Sequence, residues 1–200
     1  NDRMDANEWK EFYKKLVHWE IELDASEDGG MEEIIQMQKT ESNNVFSNFY
    51  EDNYLDWING RDNEIPIMSH TLLPKLVLPQ IKEDSAFPTV LICLDNFRFD
   101  QWRAIRDSIS DYFRVENEDM YYSIVPTATS FSRNALFAGL LPNAIESRFG
   151  KQWDTEDGGN VDEKHLLEAM LKLHGKQVKS DFVNVTGLEE GRKLVDFGLT

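Results

Sequence analysis

Between Glu8 and Leu23 the apolar positions fall at Trp9, Phe12, Tyr13, Leu16, Val17 and Ile21, spacings of three and four that trace one stripe of a helix. The segment SEDGG at 26–30 stops that helix with glycines. A second stripe runs through Met31, Ile34, Ile35, Gln38, Ser42, Val45, Phe46, Phe49, Asn53 and Trp57, close to a heptad with polar interruptions. Gly60 stands at its end, where a left-handed residue commonly closes a helix. The pattern predicts an antiparallel helical pair over residues 1–60, the second helix long, with Ser42–Asn44 as the place for a break. Two helices bury little by themselves, so a third, from a segment upstream of Asn1, is expected to complete a small bundle. The aromatic stripe reads as core rather than as a cofactor box. His18 reads as a boundary residue, because no other His or Cys lies at metal-binding spacing nearby.

From residue 61 to 87 the pattern loses its period. Pro66, Pro74 and Pro79, three of the chain's six prolines, lie between Ile65 and Gln80 and forbid a long uninterrupted helix. The segment reads as a connector with a short helix around Ser69–Leu73, and His70 reads as structural.

From Pro88 onward the periods alternate. TVLICL (89–94) is a short continuous apolar run, as expected of a strand buried on both faces. Helical spacing follows at Phe97, Trp102, Ile105, Ile109 and Phe113. YYSIVP (121–126) reads as a second strand, SRNALFAGLL as a second helix, EKHLLEAMLKLHG (163–175) as a third helix, and SDFVNV (180–185) as a third strand. Strands alternating with helices imply an α/β domain over 88–200 with a mainly parallel sheet covered on both faces. The predicted fold is therefore a helical hairpin followed by an α/β unit, without internal repeats or low-complexity tracts.

Composition narrows what such a chain does. At 200 residues and 40% hydrophobic it can bury a sizeable core. Twenty-one basic against 37 acidic residues give a formal net charge of −16, which argues against a nucleic-acid coat or an anionic-membrane binder. A phosphate-bearing substrate stays compatible if a bound metal supplies local positive charge. Cys93 is the single cysteine, so no internal disulfide forms, and a reduced, cytoplasmic setting is expected. No apolar stretch reaches membrane-spanning length, and no membrane partner is expected. A chain opening on Asn1 rather than Met is expected to be a piece of something longer.

In an open α/β sheet reactive groups collect where strands hand over to helices. Asp95 follows the first apolar run directly, and Thr129 lies at the mouth of the second helix, in PTATSFSRNALFAGLLP. A carboxylate and a hydroxyl so placed could share a divalent metal that lowers the hydroxyl's pKa, with the helix N-terminus stabilising negative charge. The alternative is capping: Asp95 for one helix, Thr127 or Thr129 for the next, and spacing alone favours it. His165 and His174 read as outward-facing.

A resemblance shifts that balance. VLICLDNFRFDQW and IVPTATSFSRNALFAGLLP resemble the first metal-binding strand tip and the nucleophile segment of PglZ-type domains in the alkaline phosphatase superfamily. The nucleotide pyrophosphatase/phosphodiesterase branch has a similar P-T-x-T run, with a Gly at the same distance beyond its nucleophile. The resemblance implies Thr129 as nucleophile and metal ligand, Thr127 as support, and Asp95 as metal ligand. Ser130 and Ser132 are expected to cap the helix, and Arg133 and Asn134 to touch a phosphoryl oxygen. It also implies two zinc ions, whose remaining ligands lie outside this chain, since no Asp-His pair occurs between Gly150 and Thr200.

The first 60 residues, with PIMSHTLLPKLVLPQI, resemble the helical middle of response regulators of type IX secretion, which join a receiver domain, a helical bundle and a PglZ-type effector. This implies a sensor histidine kinase as partner, acting through a receiver domain absent here, a phosphate-ester or nucleotide substrate, and dimerisation of the intact protein. The implied activity is a zinc-dependent phosphodiesterase or phosphatase, with this stretch inactive alone. The alternative class is a non-catalytic signalling module that uses a phosphatase-like fold to bind partners.

Overall fold

The computed structural model describes residues 4–24, 29–82, 88–150 and 163–192. Among them lie the α-helices α1 (Ala6–Asp24), α2 (Gly29–Ile58), α3 (Ser69–Leu72), α4 (Phe99–Ser110), α5 (Thr129–Ala138), α6 (Pro142–Phe149) and α7 (Glu163–Leu173), with a further helical turn at 188–192. The expected stop at SEDGG falls largely outside the described residues. Two compact units emerge: residues 1–66 with 90–120, and residues 67–89 with 121–200.

In the first unit α1 and α2 run antiparallel, because Trp9 near the start of α1 meets Phe46 at 5.2 Å and Phe49 at 5.9 Å, while Glu20 near its end pairs with Lys39. Phe49 meets Trp57 edge-on at 5.6 Å, so the aromatic stripe is core, and Trp9 and Trp57 are both buried. α2 continues unbroken through Ser42–Asn44, where the Ser42 hydroxyl donates to the carbonyl of Gln38 at 2.5 Å, inside the helix rather than against it. Gly60 follows with φ +67, the left-handed conformation its position requires. α4 joins this unit through Tyr13 and Phe99, and Lys10 ties α1 to Asp119 at 3.1 Å.

In the second unit the proline-rich segment packs as a chain of short turns. α3 passes into a π-turn at Leu73–Val77 and a 3₁₀ turn at Leu78–Gln80, each with a proline in its first positions, where a missing N–H costs nothing. Leu73 and Leu78 are buried there. α5 and α7 lie side by side and run in the same direction. Arg133 in the middle of α5 pairs with Glu163 at the start of α7, and beyond the end of α5 a Cβ on Gly139 would meet Met170 Cγ at 2.9 Å.

Among the described residues the expected parallel sheet is not formed, which corrects the α/β fold class: the described architecture is helical. Its β pairing is one isolated parallel bridge, Met68 with Tyr122, made by Tyr122 N to the Ile67 carbonyl (2.8 Å) and Ser69 N to the Tyr122 carbonyl (3.1 Å). The run at 89–94 is extended but unladdered, with Val90 74% and Ile92 76% exposed, and 180–185 is likewise without a ladder, with Val183 half exposed. The physical reason is that apolar β-branched runs favour extended backbone locally, whereas a sheet needs each strand to find a neighbouring strand, and pairing is a non-local event that composition does not specify. Among the described residues no helix is long and apolar enough to cross a membrane.

Candidate functional site

Thr129 is the first helical residue of α5 and is exposed. The residue before it, Ala128, occupies the N-cap position with φ −58 and ψ 144, and makes no side-chain cap bond. Neither Thr127 nor Thr129 therefore caps α5. The carbonyl of Ala128 accepts from the amides of Phe131 and Ser132, both at 2.9 Å. The Ser132 hydroxyl does not cap either: it donates to the carbonyl of Thr127 at 3.0 Å. The amides of Thr129 and Ser130 belong to the first turn, which has no intrahelical acceptor, so the α5 mouth keeps its positive dipole end and its exposed threonine.

One turn further on, Arg133 forms an ion pair with Glu163, the side chains 22% and 11% exposed. Arg133 stands four residues after Thr129 and so shares its helix face. Asn134, next to it, is fully buried, and both its side-chain amide atoms lack a hydrogen-bond partner among the described residues. In this conformation Asn134 lies inside the unit rather than at its mouth. Beneath α5, the buried hydroxyl of Ser69 accepts from the amide of Ile124 at 3.1 Å and ties the 121–126 segment to α3.

Asp95 belongs to the other unit. It is exposed in the turn at 95–96, where Asn96 takes φ 55, a conformation Asn tolerates better than most residues. It does not cap α4, whose N-cap is Arg98, with the Arg98 amide donating to Gln101 Oε1 at 2.9 Å. The Arg98 side chain grips Asp100 through two bonds, and that hydrogen bonding holds the Asp100 carboxyl below its usual range. The sheet expected to bring Asp95 and Thr129 together is absent among the described residues. No three His, Cys, Asp or Glu side chains come together there as a metal site. The described residues thus do not make up a zinc site by themselves. His165, at 5.7 Å from the Phe149 ring, and His174 are exposed, as expected.

Glu163 is the site residue that sequence reasoning misses. It lies 30 positions from Arg133 in the chain, across the undescribed stretch 151–162, and one acidic residue at a helix start carries no local signal of its partner.

Comparison with known families gives two matches. Residues 1–58 match the PorX response regulator linker domain, and residues 72–197 match the BREX system PglZ alkaline phosphatase-like domain. No curated protein matches the chain.

Proposed function

Because the chain belongs to the PglZ alkaline phosphatase-like family, with a response-regulator linker ahead of that domain, we propose that it is the effector region of a two-component response regulator that hydrolyses phosphate esters. The observation that carries this reading is the exposed hydroxyl of Thr129 at the uncapped mouth of α5. In the proposed reaction Thr129 Oγ attacks phosphorus and forms a phosphothreonine. The hydroxyl proton leaves to water, the ester oxygen departs with its electron pair and is protonated, and water then cleaves the new O–P bond. The first-turn amides and dipole of α5 oppose the charge that builds on the phosphoryl oxygens. Two zinc ions are proposed, with Asp95 and Thr129 as this chain's ligands and the rest outside it. A zinc ion supplies Lewis acidity and a lowered hydroxyl pKa when bound. Nucleotide or oligonucleotide phosphates, a sensor kinase acting through a receiver domain, dimerisation, a cytoplasmic setting and control of type IX secretion complete the proposal.

A test uses bis-p-nitrophenyl phosphate with added zinc and a longer protein that contains this chain. Thr129→Ala should lower turnover by about 100-fold or more while much of the zinc is retained. Turnover that survives the substitution removes Thr129 from the mechanism. The 200-residue chain alone should show neither turnover nor zinc retained through dialysis, since stable zinc sites use about three or four protein ligands.

One observation favours a second reading: among the described residues no ligand set assembles. In it the domain binds a partner without chemistry, and a parent protein that holds no zinc would favour it.

A further inference from the structure

We propose that the open face of the α1–α2 pair is a docking surface for a basic amphipathic helix of a partner protein. The inference is independent of the phosphoryl reading of α5. The two flanks of the pair differ. On one, Tyr13 meets Phe99 of α4 at 6.3 Å, and Glu20, two turns along the same side of α1, pairs with Lys39. Lys10 contacts Asp119 on that side as well, so this flank is covered. Trp19 lies about 120° round α1 from Tyr13, and Ile34 and Val45 lie about 120–140° round α2 from Lys39. Both turns have the same rotational sense, which in antiparallel helices leads to the same side. Trp19, Ile34 and Val45 therefore share the opposite flank, and each is half exposed, as is Met31 one turn before Ile34. Ile34 and Val45 stand about 16 Å apart along α2, and Trp19, beside Glu20, lies at a level between them. That span suits about three turns of a docked helix.

Charge selects the occupant. Beyond Lys39, α2 carries Glu41, Glu51, Asp52 and Asp56 and no basic residue. Glu41 follows Ile34 by two turns on the same side, Asp52 follows Val45 likewise, and both are exposed. On α1, Lys15 and Glu22 flank Trp19 and offset each other, so the rim is net acidic. A second copy of the chain would set two such rims together, and an anionic bilayer would meet the same repulsion. A helix with Lys or Arg beside its apolar stripe complements both parts of the surface. Its stripe covers Ile34 and Val45, and a cation rests over the exposed Trp19 indole.

A synthetic amphipathic peptide with a leucine stripe flanked by lysines would be titrated into the 200-residue chain, beside the same peptide with glutamates in place of the lysines. Binding would be followed through the amide NMR shifts of Trp19, Ile34 and Val45. The lysine peptide should move these three, and the glutamate peptide should bind at least about tenfold more weakly. Glu41→Lys combined with Asp52→Lys should weaken the lysine peptide by about tenfold, and Trp19→Ala by about as much. Should Trp19→Ala fail to fold, Ile34→Ser at an exposed position takes its place: weaker binding supports the proposal, and native binding refutes it. Equal binding of the two peptides, shifts confined to other residues, or no shifts would each overturn it. Another occupant would overturn it too. A second copy would show as concentration-dependent sedimentation that Ile34→Ser abolishes, and a bilayer as binding to phosphatidylcholine–phosphatidylserine vesicles that Ile34→Ser abolishes. A further segment of the same polypeptide would show as loss of peptide binding in a longer protein that contains this chain.

Discussion

Gly139 closes α5 with φ +63, and a Cβ added there would approach Met170 Cγ at 2.9 Å and Pro74 Cγ at 3.1 Å. Both terms act against any larger residue: the left-handed backbone disfavours L side chains, and the contact forces α7 and the π-turn apart. Gly139→Ala should therefore cost about 1–3 kcal/mol in urea unfolding, and an unchanged midpoint would contradict this packing. His70 carries a second prediction. Its Nδ1 is buried without a hydrogen-bond partner among the described residues, and burial, aided by Lys75, pushes its pKa below the usual value. The fold thus prefers the neutral ring, whereas the unfolded chain binds a proton near pH 6.5. Stability contributed by the neutral ring is full above pH about 6.5 and declines as pH falls below it towards the depressed folded value. Urea midpoints at about pH 7.5 and 5.5 should differ for the native chain and converge in His70→Gln.

At the scale of elements, the first unit depends on one aromatic column. Trp9 touches Phe12, Phe46 and Phe49 and is 6% exposed, so Trp9→Ala should cost about 3–5 kcal/mol and loosen α1 from α2, seen as lost helical ellipticity. The extended run at 89–94 makes the opposite prediction. Its backbone enters no ladder, so the amides of Val90 and Ile92 should exchange with solvent deuterium far faster than that of Tyr122, which donates to Ile67 at 2.8 Å. Protection of Val90 and Ile92 comparable to Tyr122 would show that the run is paired in solution. These helices were legible because their period recurs over three turns or more in α1, α2, α4 and α7. The strands were not, because five or six apolar residues state only a local preference for extended backbone.

The whole molecule carries a formal charge of −16, its 37 acidic residues outnumbering the 21 basic ones. Self-repulsion favours the expanded chain, and raising ionic strength from about 10 mM to 150 mM shortens the Debye length from about 30 Å to about 8 Å. The thermal midpoint should rise over that range. A fall would mean that pairs such as Lys10–Asp119 and Arg133–Glu163 outweigh the net repulsion.

The sequence by itself determined that α1, α2, α4, α5 and α7 would be helical, though not α6, that Gly60 would turn left-handed, and that a threonine would stand at a helix mouth. Each of these depends on neighbours within a few positions, where periodicity and backbone sterics act. Only the tertiary structure decided that no sheet forms among the described residues, that the hydroxyls around Thr129 leave α5 uncapped, and that Glu163 reaches Arg133. It also put Asp95 and Thr129 in different compact units. Those outcomes depend on which distant segments meet, and packing between elements settles that through contacts whose partners lie tens of residues apart.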